Sequence, residues 1–205
     1  MIDFYSAASS NGQRAAIMLE ECGAPYTLHK LDLFAGEQRK PEFLAINPAG
    51  TIPAIVDREG PGGKPLALAQ SGAIMLYLAA KAGRFMPEDA ALRAQALQWV
   101  FQATTDTAAS SMAIFLLSRF VPDKSEANVG YFEERTLRQL RVADQRLADR
   151  EYLAGELSVA DFALYPICVV RRPLVDRAGD LPNLARWAAA LAERPGVQRG
   201  MTAAN

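Results

Sequence analysis

The stretch GTIPAIVD, residues 50–57, puts Pro53 inside an apolar run of Ile52, Ala54, Ile55 and Val56 that otherwise reads as a buried strand. Proline has no N–H to give to a sheet ladder and is confined to strand starts, edges and bulges. Two conformations fit. With a trans Ile52–Pro53 bond, Pro53 simply opens the strand. A cis bond, far cheaper before proline than before any other residue, makes a rigid turn that swings the N–H and C=O of Ile52 out of the ladder. Pattern alone does not choose between them.

Outward from Pro53, the first 82 residues alternate in character. IDFYSA reads as a strand. Residues 12–23, GQRAAIMLEECG, read as an amphipathic helix whose apolar stripe is Ala15, Ala16, Leu19 and Cys22, with Glu20 and Glu21 off it and Gly23 as the stop. PYTLHKLDL is a second strand, and KPEFLAINPAG a short helical or turn-rich crossover. IPAIVD and PLALAQ are strands joined by the glycine-rich REGPGGK, and SGAIMLYLAAKAG is a helix from Ser71 to Gly83. The order β-α-β-α-β-β-α describes a small α/β sheet domain over residues 1–82.

After RFMPED the texture changes. Residues 88–205 hold long helical stretches rich in Ala, Leu, Arg and Gln, with no convincing alternating strand. Residues 91–120 read as one long or bent helix, and 125–149, 158–172 and 182–196 as three more. In LSVADF, Ser158 and Asp161 form a capping box with Asp in the usual Glu place, and Leu157 and Phe162 a hydrophobic staple. Its reading is structural. The fold class is therefore α/β plus all-α, with a sheet domain followed by a helical bundle.

Composition narrows the function. Of 205 residues half are hydrophobic, 22% are charged, and the net charge is -1, so no basic surface advertises nucleic acid or anionic lipid. Cys22 and Cys168 form neither a CxxC nor a metal-ligand spacing, which argues against a protein dithiol and predicts no metal. With His29 the only histidine, it and Cys22 read as structural. The N-terminus lacks a basic-then-apolar signal, and no apolar run is long enough to span a bilayer, so a cytoplasmic protein is expected.

Chemistry concentrates where strands meet helices. Ser71 and Gly72 open a helix directly after a strand, where free N–H groups and the positive dipole end suit a carboxylate, and Gln70 and Ser71 add side-chain donors. The bland alternative is a simple N-cap. A sheet domain of this order with proline at its third strand resembles the thioredoxin fold, in which that proline is cis. A peptide-like ligand would then pair with Ile52 as an added strand.

NPAGTIPAIVD, LALAQSGAIMLYLAAKAGRF and YLAGELSVADFA together resemble the cytosolic glutathione transferases across nearly the whole chain. SNGQR and GEQRKPEFLAINP are most similar to the bacterial nu-class subgroup, which includes glutathione-dependent disulfide reductases. The resemblance implies glutathione as co-substrate, held by Ile52 and Pro53 at its cysteinyl part, by Gln70 and Ser71 at its γ-glutamyl end, and by Gln38. Gln70 stands where Glu is common and brings an acceptor without the charge. In SASSNGQR, Ser9 and Asn11 match the residues that polarise the thiol. Ser10 stands where some members carry cysteine, and Tyr5 is a rival further back on the strand. Asp106 is a candidate partner for a neighbouring subunit's ligand ammonium. Met112 and Phe115 are candidates for the wall of a second site, for a small hydrophobic or disulfide substrate, in the domain over 88–205. A homodimer is implied. The expected activity is thiol activation for disulfide reduction or conjugation to an electrophile, and the alternative is a non-enzymatic binding or regulatory protein of the same fold.

Overall fold

Ile2–Ser6 (β1) is buried almost throughout, on both faces, as the central strand of a sheet covered on two sides must be. The computed structural model describes residues 1–179 and 181–203. β1 pairs in parallel with Tyr26–Lys30 (β2) and antiparallel with Ala54–Asp57 (β3), and β3 pairs antiparallel with Leu66–Ala69 (β4). The strand order is β2-β1-β3-β4. Three helices belong to the same region: Ser10–Glu21 (α1), the single-turn Pro41–Leu44 (α2) and Ser71–Ala82 (α3).

The register sets up everything that follows. Tyr5 faces Ala54 and Ala54 faces Ala69, so the end of β1, the start of β3 and the end of β4 share one edge of the sheet. Ser6 faces Lys30, which brings the end of β2 to the same edge. Loops and helix starts leaving these strand ends converge there, the usual ligand position of open α/β sheets.

Glu21 departs from the sequence expectation. It lies off the apolar stripe, yet it is buried and paired with Arg194, Nε to Oε1 at 3.0 Å and NH2 to Oε2 at 2.6 Å. The reason is a helix not anticipated from the sequence, Pro195–Thr202 (α10), which packs against α1. The approach is close enough that a Cβ on Gly200 would lie 2.5 Å from the Ile17 backbone. Arg199 and Tyr26 both bond Glu20 beside it. Two compact units result, residues 1–86 with 192–205, and residues 87–191. The C-terminal end of the range 88–205 thus belongs with the sheet, because α1 presents apolar surface on two sides.

The second unit is helical. Ala90–Phe101 (α4) starts at an Asp89 cap and runs through a π-helical stretch, Gln102–Thr107, into Ala108–Arg119 (α5), the bent form of the long helix expected. Glu126–Arg146 (α6) is capped by Ser125. Val159–Val170 (α7) carries the Ser158–Asp161 capping box and ends at Arg171, so that Arg172–Ala178 (α8) is a separate helix. Pro182–Ala192 (α9) begins where Asp144 Oδ1 accepts from the Leu184 N–H at 2.8 Å. Asp161 does more than cap. Its Oδ1 also accepts from the Leu153 N–H at 3.0 Å and the Trp187 indole at 2.9 Å, both buried. Burial pushes this carboxyl up, and its four donors pull it back by holding the charged form.

Candidate functional site

α1 begins where Ser9, in extended conformation, turns its hydroxyl back onto the helix. Ser9 Oγ accepts from the Gly12 N–H at 3.0 Å and donates to the Ala7 carbonyl at 3.3 Å. The Gln13 N–H takes the Ser9 carbonyl at 2.9 Å. The N–H groups of Ser10 and Asn11 therefore have no acceptor among the described residues, and they sit at the positive end of the helix. Gly12 permits the tight join to β1, since a Cβ there would lie 2.3 Å from Ser6 Oγ and 2.6 Å from the Ala7 carbonyl. Asn11 accepts at Oδ1 from Arg14 NH1 at 2.7 Å, while its Nδ2 has no partner among the described residues.

At the start of α3, Gln70 adopts φ 72° and ψ 117°, a conformation that side chains other than glycine rarely take. Such a residue costs about 1–3 kcal/mol and clusters at ligand sites. No side chain caps this helix, and its first internal bond runs from the Ile74 N–H to the Gln70 carbonyl at 2.9 Å. The N–H groups of Ser71, Gly72 and Ala73 and the hydroxyl of Ser71 are left without acceptors or donors among the described residues. Ser71 itself is buried.

Between these helix starts lies the Ile52–Pro53 bond. Ile52–Pro53 is cis, and β3 starts only at Ala54. The Ile52 N–H and C=O take part in no hydrogen bond among the described residues. Asn47, not singled out in the sequence, fixes the approach: its Nδ2 donates to the Thr51 carbonyl at 2.6 Å and its Oδ1 accepts from the Ala49 N–H at 3.2 Å. The loop after β2 is tied to the same edge by the Leu31 N–H on the Ser6 carbonyl. It carries Gln38, whose Nε2 donates to the Leu33 carbonyl at 3.2 Å and whose Oε1 is buried without a partner. Unmatched backbone at Ile52 between two open helix starts, on one sheet edge, suits a short peptide-like molecule with a carboxylate at one end.

Comparison with known proteins decides which such molecule to consider. The model for the glutathione S-transferase N-terminal domain matches residues 8–81, and that for the C-terminal domain matches residues 94–195. The chain belongs to the glutathione S-transferase family. It is 35% identical over 204 residues to the disulfide-bond oxidoreductase YfcG of Escherichia coli strain K12, covering 98% of this chain and 94% of that protein. A glutathione transferase of Burkholderia graminis, solved with two glutathione molecules bound per subunit, superposes with a TM-score of 0.91 at 37% identity, covering 98% of this chain and 87% of that one. One from Pseudomonas putida, solved with one glutathione disulfide per subunit, gives 0.90 at 34% identity, with coverages of 98% and 90%.

Within this family frame the structure sorts the candidates. Ser9, Asn11, Gln38, Ile52, Pro53, Gln70 and Ser71 all lie at the one sheet edge or on loops leaving it. Ser10 is half-buried as the first residue of α1. Tyr5 alternates onto the other sheet face from Phe4 and Ser6, stacked on His29 at 4.5 Å, and burial raises its phenol above the ordinary value. His29 is held by Asp3 at 3.0 Å. Burial pushes the Cys22 thiol up to about 11, so it is not a nucleophile near neutrality, and Cys168 is buried. In the second unit Asp106 is exposed within the π-helical stretch, and Met112 and Phe115 are each 43% exposed. Among the described residues no three His, Cys, Asp or Glu side chains gather as a metal-ligand group, and no helix is long and apolar enough to cross a membrane. The sequence reading passed over Arg14. The available signal was its position three residues after Asn11, on the same helix face.

Proposed function

We propose that this member of the glutathione S-transferase family binds glutathione across the strand ends of its first unit and activates the thiol, with disulfides as its main targets. The γ-glutamyl carboxylate sits on the open N–H groups of α3 with Ser71 and Gln70, the cysteinyl backbone pairs with Ile52 ahead of Pro53, and Gln38 reaches the ligand from the loop after β2. The sulfur then lies at the start of α1, where Ser9 swings its hydroxyl hydrogen from the Ala7 carbonyl to the sulfur and Asn11 offers Nδ2. Donors that strengthen as negative charge grows favour thiolate over thiol.

The observation that carries this reading is the pair of helix starts with unmatched N–H groups on one sheet edge, flanking the unpaired backbone of Ile52. The thiol gives its proton to solvent. The thiolate attacks one sulfur of a disulfide in line, a new S–S bond forms as the old one breaks, and the leaving sulfur departs as thiolate and is protonated. Attack of the same thiolate on an electrophilic carbon gives conjugation. The relative named as a disulfide-bond oxidoreductase and the similar structure holding glutathione disulfide support placing disulfides first, and they favour an enzyme over a binding module. The protein works as a cytoplasmic homodimer in this reading.

Calorimetric titration with reduced and oxidised glutathione, side by side with disulfide reductase turnover, tests it. The Cys22→Ser/Cys168→Ala double variant, folded by circular dichroism, is expected to bind and turn over much as the parent does. Loss of turnover in that folded variant, or no binding of either ligand to the parent, would contradict the glutathione-only mechanism.

A further inference from the structure

We propose that Arg14 is a positioning residue of the thiol site: it fixes the amide of Asn11 so that Nδ2, and not Oδ1, faces the bound sulfur. The inference rests on the glutathione-activating reading above and names how one of its donors is oriented.

Arg14 is fully buried on α1, one helical turn from Asn11, and its NH1 lies 2.7 Å from Asn11 Oδ1. A guanidinium carries five donors and no acceptor, so only the oxygen of a facing carboxamide can satisfy it. This choice between the two ends of the amide is made by chemistry. With Oδ1 committed, Nδ2 points away from Arg14, and the half-buried Asn11 offers it without a partner among the described residues. An amide free to rotate would present its oxygen for part of the time, and a carbonyl lone pair set against a sulfur gaining charge disfavours the thiolate. Burying a guanidinium at the start of a helix is costly and also opposes the local dipole.

The rival explanation is a through-space effect of the Arg14 positive charge on the thiolate, so the test must separate charge from orientation. The readout is the pKa of the bound glutathione thiol, followed by thiolate absorbance against pH in the parent, Asn11→Ala, Arg14→Gln, Arg14→Met and the Asn11→Ala/Arg14→Met pair. Arg14→Gln keeps a donor for Oδ1 without the charge and is expected to leave the thiol pKa close to the parent's. Arg14→Met is expected to raise it by about one unit, a ~10-fold change in the thiol's acid dissociation constant. In the Asn11→Ala background, Arg14→Met is expected to add nothing, because there is no amide left to orient.

Asn11→Asp guards against variants of Arg14 that do not fold. It preserves the acceptor for Arg14 and so the packing, but has no donor for the sulfur, and is expected to fold like the parent with the thiol pKa raised by a unit or more. An unchanged thiol pKa in Asn11→Asp would overturn the proposal. So would full additivity of Arg14→Met with Asn11→Ala, or an Arg14→Gln shift as large as that of Arg14→Met, which would assign the effect to charge. A parent whose bound thiol titrates like free thiol would instead remove the glutathione-activating reading itself, which keeps the two failures distinct.

Discussion

Gln70 holds a backbone conformation that its side chain does not favour, at φ 72°, directly ahead of a helix start with unmatched N–H groups. Strain of this kind persists where surrounding structure over-determines it, here through the β4 register and the first turn of α3. Gln70→Gly is expected to be no less stable than the parent, since glycine takes positive φ freely, while Gln70→Val is expected to lose about 1–2 kcal/mol because a β-branched residue fits that region worst. Both are expected to weaken glutathione binding, which separates the ligand role of the side chain from the strain of the backbone. Denaturant unfolding and calorimetry on the two variants check this, and tighter binding in either would remove the side chain from the site. Ser9, Ser71 and Ile52 were legible in the sequence because each sits at a strand–helix or strand–proline junction that local pattern reveals. Asn47 and Arg14 were not. Their effect depends on which atom a neighbour turns towards them, and spacing does not carry that.

The helix that sequence pattern missed, α10, has the most to say about how elements are held. RPGVQRGM holds two glycines and a proline in second place, and the fourth helix expected from the sequence ends at residue 196, inside it. Yet Pro195 occupies the first helical position, where its missing N–H costs nothing, and Gly196 and Gly200 let α10 lie against Glu21 and Ile17. A small-residue face is a packing device that periodicity of apolar residues does not register. Gly200→Ala forces a Cβ to within 2.5 Å of the Ile17 backbone and is expected to cost roughly 1–3 kcal/mol by overpacking, read as a lower denaturation midpoint. An alanine variant as stable as the parent would mean that α10 does not sit this close to α1. The capping box at Ser158 and Asp161 shows the opposite case. It was readable from the six residues LSVADF, but its reach to Leu153 and Trp187 was not, because those partners are set by the packing of α7 and α9.

Two buried carboxylates couple the sheet unit as a whole to pH. The Asp3 carboxyl is held below the usual carboxylate range by hydrogen bonds from Arg58 and then His29. For Asp57, burial pushes up, but hydrogen bonds from Lys81, Tyr77 and the Glu59 N–H outweigh it and the net shift is downward. An acid with a depressed folded pKa contributes stability above its unfolded value of about 3.9 and loses it as pH falls through the folded value. Unfolding free energy is therefore expected to drop below about pH 4, with the drop flattened in Asp3→Asn and Asp57→Asn, as followed by urea titration across pH. An acid slope identical to the parent's in both variants would contradict these pairings. Element order and the division in texture near residue 87 were readable along the chain, and the convergence of Ser9, Ile52 and Ser71 followed once the register was known. The site stands or falls on what happens to the sulfur. Thiolate absorbance of glutathione bound to the parent protein, titrated against pH, should give a thiol pKa at least one unit below the ordinary cysteine value of about 8.5. A bound thiol that titrates at or above that value would contradict activation by the start of α1.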